Sequence, residues 1–273
     1  MPGLRRLRLR TFPASAGCET ASGVLKASPV LASQSTITAQ NSRWSLGLSE
    51  MPDKRLLIFT AVALEAKAVA RALGMECPRP AEPVYSMNGT LAIGLAIIGI
   101  RACALDAAAY SIEPTHVLMA GVAGALDPKL KIGDVVVEGV DPLGSEPAGT
   151  TVGRICCSDR IVETPDEKAD LFRSTGALAV EMENDGVRAW AEGRGAAFIA
   201  IRAISDRADQ SLDPAVLRLV DHWGRARPLA IAATLARRPN LIPQLTRLGR
   251  DSKLASDRLG RAVKELVECW TSG

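Results

Sequence analysis

The sequence predicts an α/β fold: a three-layer α/β/α arrangement with helices on both faces of a central sheet. Short unbroken apolar runs such as 56–60 and 198–203 have the length and composition of strands buried on both faces. Ala-rich amphipathic stretches alternate with them, as a sheet covered on both sides requires. Aromatic residues make up only 4% of a chain that is 47% apolar, so the core must be built from Ala, Val, Leu and Ile.

Taken in order, 56–60 reads as a first strand, and 63–73 as a helix with Glu65, Lys67 and Arg71 as its polar positions. Pro78, Pro80 and Pro83 break that helix. Residues 84–87 and 91–98 read as two strands joined at Asn88-Gly89, a strong hairpin signal. A helix is expected over 102–112, strands over 117–120 and 134–138, and a further strand over 154–157. Pro165 opens a helix over 166–175, a short strand follows at 179–182, and a helix over 185–194 ends at Gly195. The last strong strand is 198–203. From Pro214 onward the chain reads as helices broken at Pro228, Pro239 and Pro243. Three divisions are expected: an N-terminal extension (1–50), a catalytic domain (51–238) and a helical tail (239–273).

The formal charge of +3 is unevenly distributed. Residues 1–50 hold Arg5, Arg6, Arg8, Arg10, Lys26 and Arg43 against Glu19 and Glu50, so the rest of the chain is close to neutral. A basic pI is then no argument for nucleic acid as a partner. The first fifty residues resemble a transit peptide in composition. A disordered extension or an overlong gene start before Met51 is the preferred reading. Arg225, Arg227, Arg237, Arg238, Arg247 and Arg250 offer a face for anionic lipid. Asp221, Asp251, Asp257 and Glu265 dilute it, so membrane association is weighed and not favoured. The six cysteines include no C-x-x-C pair, and His116 and His222 lie far apart, so no metal is expected. Buried reduced thiols, Cys103, Cys156 and Cys157 among them, would suit the cytoplasm.

Three segments carry candidate chemistry. In Gly121-Val122-Ala123-Gly124-Ala125-Leu126, small residues after a strand leave backbone open to a ligand. In Val180-Glu181-Met182-Glu183, two carboxylates follow an apolar run and share a face if the strand continues. In Arg202-Ala203-Ile204-Ser205-Asp206, an acid sits just past a strand's carboxyl end, where α/β sheets place ligands. Read singly, these are a common turn, a solvated strand end and a helix N-cap.

Together, in this order and spacing, they resemble the nucleoside phosphorylase family. The most similar branch holds methylthioadenosine/S-adenosylhomocysteine nucleosidase, futalosine hydrolase and the hopanoid-associated phosphorylase. Thr164-Pro165-Asp166-Glu167-Lys168, with the run from Thr175 to Val180, is most similar to the last of these. The resemblance implies a central mixed sheet, cleavage of the N-glycosidic bond of a purine nucleoside with release of adenine, and a homo-oligomer needing no cofactor. It places the acid that protonates the departing base at Asp206, the residue that orients it at Ser205, and the carboxylate on the ribose hydroxyls at Glu183. Met182 would lie under the sugar, with Ala123, Gly124, Val180 and Glu181 beside the substrate. Arg202 would support the loop. To donate near neutral pH, Asp206 would need burial or the substrate itself to keep it protonated. The nucleophile is open. Nucleosidases of the family hold the attacking water on a Glu near the first strand–helix junction, and that position aligns with Lys67. Lys67 and Arg101 would then hold phosphate as co-substrate and favour phosphorolysis. A one-turn shift would leave Glu65 on the water and favour hydrolysis. A non-catalytic, nucleoside-binding or sensory relative is the alternative outside enzymes.

Overall fold

The computed structural model describes residues 52–87, 90–107, 110–139, 147–213, 215 and 219–272. The Asn88-Gly89 turn, Cys18 and the expected N-terminal extension lie outside the described residues.

Nine strands form one mixed sheet among these residues. They are β1 (Lys54–Thr60), β2 (Val84–Met87), β3 (Leu91–Ile97), β4 (His116–Ala125), β5 (Val135–Glu138), β6 (Thr151–Val152), β7 (Ile155–Cys157), β8 (Ala179–Glu181) and β9 (Ala197–Asp206). The order across the sheet is β2-β3-β1-β4-β9-β5-β6, with β8 paired to the end of β4 and β7 paired to β8. β3, β1, β4 and β9 run parallel; β2, β5 and β8 are antiparallel to their neighbours β3, β9 and β4.

Alternation along β1 builds the three layers. Leu56 and Ile58 face a core shared with α1 (Ala63–Leu73) and with α5 (Ile242–Ser272), which follows α4 (Pro228–Arg237). Leu57 and Phe59 face the opposite core, shared with α3 (Asn184–Glu192). A smaller cluster holds Val162, Ala177 and Val180 against Leu171 and Phe172 of α2 (Pro165–Thr175). Thr164 caps α2 by accepting from the Glu167 amide, and Pro165 opens the helix.

Several expectations are corrected. The described residues of the stretch 102–112 do not form the expected helix. The backbone turns left-handed at Arg101 (φ 59°) and Ala102 (φ 52°), and a short 3-10 turn (Ile100–Ala102) replaces the expected helix start. Here tertiary contacts override the propensity of an Ala-rich stretch. β4 and β9 extend well past their expected ends, so Ala123-Gly124 and Ser205-Asp206 are strand residues, not a turn and a helix N-cap. Pro243 lies in the first turn of α5 instead of breaking a helix. The expected boundary at 238/239 is no packing boundary, because Ala255, Leu259, Val263 and Leu266 of α5 complete the core beside α1. Cys77, Cys103 and Cys269 are exposed, and Cys156 and Cys157 are half-buried, so the described thiols are not the buried ones expected.

Candidate active site

Because β1, β4 and β9 run parallel, their carboxyl ends open along one edge of the sheet. Glu65 follows β1, Ala123 and Gly124 lie at the end of β4, and Ser205 and Asp206 close β9. This is the edge at which open α/β sheets bind ligands. A cavity of about 260 Å³ lies there. Its lining includes Glu65, Ala123, Gly124, Lys168, Val180, Glu181, Met182, Glu183, Ser205 and Asp206.

The β4–β9 register slips at this point. Ala123 pairs with Ile204 and Gly124 with Asp206, leaving Ser205 as the extra residue of a bulge. The Ser205 hydroxyl donates to Asp206 Oδ1 at 2.9 Å and lies 3.3 Å from the Ala123 carbonyl. A Cβ on Gly124 would stand 2.9 Å from Asp206 Oδ2, so the glycine makes room for the acid. At Gly121 a Cβ would collide with the Arg202 guanidinium and stand 3.0 Å from Glu65 Oε1. The small residues of β4 therefore admit neighbouring side chains, in addition to leaving Ala123 and Gly124 open to the cavity.

Asp206 has a second partner that sequence reasoning did not single out. The Lys168 ammonium donates to Asp206 Oδ2 at 2.6 Å, and to the carbonyls of Arg207 (2.7 Å) and Gln210 (3.1 Å). All three of its protons are engaged, and the side chain is fully buried. A signal was available: Lys168 occupies the inward stripe of α2 together with Leu171, Phe172 and Thr175, a helical spacing where an apolar residue is expected.

Arg202, also expected only to support a loop, lies at the centre of a buried charge cluster. It donates to Glu181 and to the Asn184 side-chain oxygen Oδ1 (2.8 Å), and stands 3.4 Å from Glu183 Oε2. Glu183 is the N-cap residue of α3, not a continuation of β8, so Glu181 and Glu183 converge on Arg202 from a strand end and a helix start. Glu181 accepts from the amides of Glu183 (2.8 Å) and Asn184 (2.9 Å). Glu183 accepts from the Arg101 amide at 3.0 Å. Burial pushes the Glu183 carboxyl up from its ordinary range, Glu181 adds to that, and Arg202 and the Arg101 and Met182 amides oppose it.

Glu65 lies on the wall formed by the β1–α1 junction. Its Oε2 accepts from the amides of Ala61 and Val62, both at 3.0 Å, and its Oε1 from the Val122 amide at 2.8 Å. Burial raises its carboxyl to about 7, against the lowering influence of Arg202 and of the amides of Val122 and Val62. A carboxyl poised there can take a proton at neutral pH.

The two residues expected to hold phosphate are not brought in. Lys67 is exposed on α1, whereas Glu65, two residues earlier, lines the cavity. The Arg101 side chain donates to the Asp159 carbonyl and lines a separate depression with Cys156, Cys157 and Asp185; only its backbone amide reaches the site, through Glu183. Among the described residues, no three His, Cys, Asp or Glu side chains converge as a metal site. Among them, too, no helix is long and apolar enough to cross a membrane.

A phosphorylase superfamily model matches residues 141–237, which include Lys168, Glu181, Glu183, Arg202, Ser205 and Asp206. A sequence comparison with curated proteins returns no match. The fold is similar to that of futalosine hydrolase from Helicobacter pylori (TM-score 0.53, 18% identity, 79% of this chain and 97% of that one). It is also similar to 5′-methylthioadenosine/S-adenosyl homocysteine nucleosidase from the same organism (TM-score 0.53, 17% identity, 80% and 99%). A third likeness is to the Neisseria meningitidis 5′-methylthioadenosine/S-adenosylhomocysteine nucleosidase, solved with methylthio-immucillin-A (TM-score 0.51, 19% identity, 79% and 99%). A phosphorylase superfamily model thus matches part of the chain, and the fold is similar to that of these nucleosidases, in keeping with the resemblance read from the sequence.

Proposed function

We propose that this protein hydrolyses the N-glycosidic bond of an adenosyl-type purine nucleoside, releasing adenine, with water as the nucleophile. One observation carries the reading: Glu65, Glu183 and Asp206 line a single cavity. As the bond from the sugar's C1′ to the base breaks, its electron pair leaves with the base, and Asp206 gives a proton to a base nitrogen. Glu183 holds the ribose hydroxyls, and nearby carboxylates favour the cation-like sugar. Glu65 takes a proton from the water that closes on C1′.

Phosphate fits this cavity poorly. The Arg202 charge already faces Glu181 and Glu183, Lys168 is paired with Asp206, and Arg160 at the cavity's lining is paired with Glu167, so a phosphate dianion at Glu65 would meet acids and cations that each already hold a carboxylate. Phosphate is therefore set aside as co-substrate, and no cofactor is invoked. A cytoplasmic location and a homo-oligomeric state belong to the same reading; the first rests on the cysteine pattern and the second on the family resemblance. The test is incubation of the purified protein with methylthioadenosine, S-adenosylhomocysteine, futalosine and adenosyl-hopane in phosphate-free buffer. Free base is expected from at least one; no base from any member of the panel, with or without phosphate, would remove the reading.

A further inference from the structure

We propose that Lys168 is the positioning residue of the acid: it fixes the Asp206 carboxyl and compensates the negative charge left on it when its proton goes to the departing base. The inference rests on the functional reading above and deepens it at one residue.

The geometry is specific. Lys168 comes from α2, an element that sends only this side chain into the site, and Asp206 comes from the end of β9. Their contact is 2.6 Å long, with the lysine side chain fully buried and the aspartate side chain 10% exposed. Ser205 occupies Oδ1 and Lys168 occupies Oδ2, so the carboxyl plane is held from both ends. The Arg207 and Gln210 carbonyls hold the ammonium in turn, which ties it to the loop that follows the acid. A lysine needed only for solubility would not be placed on the buried stripe of a helix.

The charge accounting gives the ammonium its role. Asp206, which accepts at both oxygens in the free protein, takes a proton from solvent before the step; when the glycosidic bond breaks, the base nitrogen forms a new N–H bond and the Asp206 O–H bond breaks. The electron pair of that O–H bond stays on Asp206. The carboxylate so formed is buried, and without a counter-charge its formation would be strongly opposed. With an ammonium at contact distance the new charge is met by a group already in place, so nothing must reorganise during the step.

The experiment is a double-mutant cycle with Lys168→Met and Asp206→Asn, using whichever panel nucleoside the parent cleaves. Lys168→Met is expected to lower kcat about 10²-fold, the lower end of what general-acid help supplies, with KM changed less than about threefold. In the Asp206→Asn background no carboxylate forms, so adding Lys168→Met is expected to change the single-turnover rate by less than about threefold. A Lys168→Met rate equal to the parent's, or a loss of the same size in both backgrounds, overturns the proposal; the second result would mark a general structural role. Should Lys168→Met fail to fold by circular dichroism, Lys168→Gln enters the same cycle with the same expectations, because it keeps a donor and removes the charge. A parent that cleaves nothing defeats the functional reading and this inference together. A parent that cleaves a nucleoside while the Lys168 variant matches it defeats this inference alone.

Discussion

Replacing Glu65 with Gln is expected to lower kcat/KM by about 10²- to 10⁴-fold and to remove the acid limb of the pH profile. The sign follows from the role. A base works only when ionised, and burial holds this carboxyl at about 7, well above its ordinary range. In the parent, kcat/KM should therefore rise with pH as Glu65 loses its proton, with the midpoint of the rise near 7. A purely structural Glu65 would behave differently. It anchors the amides of Ala61, Val62 and Val122, so losing it would weaken the fold while leaving the shape of the pH profile intact. The measurement is kcat/KM from about pH 5 to 9 for both proteins, with thermal unfolding of each as control. An unchanged midpoint in the variant excludes Glu65 as the base.

Asp206→Asn is the second large effect. The amide preserves size and a hydrogen-bond donor but cannot release a proton to the base, so kcat should fall about 10²- to 10⁴-fold. KM should move little, because the proposed mechanism holds the sugar at Glu183 and Met182, on another part of the cavity wall. The variant also introduces a mismatch, since Lys168 loses its only carboxylate partner and stays buried against two carbonyls. Some loss of stability is therefore expected beside the loss of rate, and chemical denaturation separates the two. Full activity in a folded Asp206→Asn protein would mean that the base departs without help from this residue.

The parts of this site that could be read from the sequence are those carried by local pattern. Glu183 and Asp206 follow short apolar runs, which marks both as candidates, and both line one cavity, although Glu183 caps a helix and Asp206 belongs to its strand. Glu65 and Lys67 show where such reading stops. They lie two residues apart on one helix, about 200° around its axis, so only one can face the sheet edge. The deciding contact is the reach of Glu65 back to the amides of Ala61 and Val62 at the helix start. A Ser or Thr at the N-cap would have advertised that arrangement; Val62 does not.

The other omissions have long-range causes. Lys168 becomes meaningful only when α2 packs against the end of β9, 38 residues later in the chain. Arg202 reads as one polar residue in an apolar strand until Gly121, Glu181 and Glu183 close around it from three other elements. The failed helix over 102–112 has the same origin. Composition favours it, but the Arg101 amide is committed to Glu183 and its side chain to the Asp159 carbonyl, and the backbone turns left-handed to make both bonds. A turn that serves the site thus replaces a helix that local propensity alone would form.

The central claim is that water, activated at Glu65, closes on a sugar held between Glu183 and the departing base. Identification of the sugar product, by mass spectrometry with inorganic phosphate absent and then present, tests it most directly. Free pentose at the same rate in both conditions is the predicted result. A sugar 1-phosphate that forms only when phosphate is supplied would contradict it.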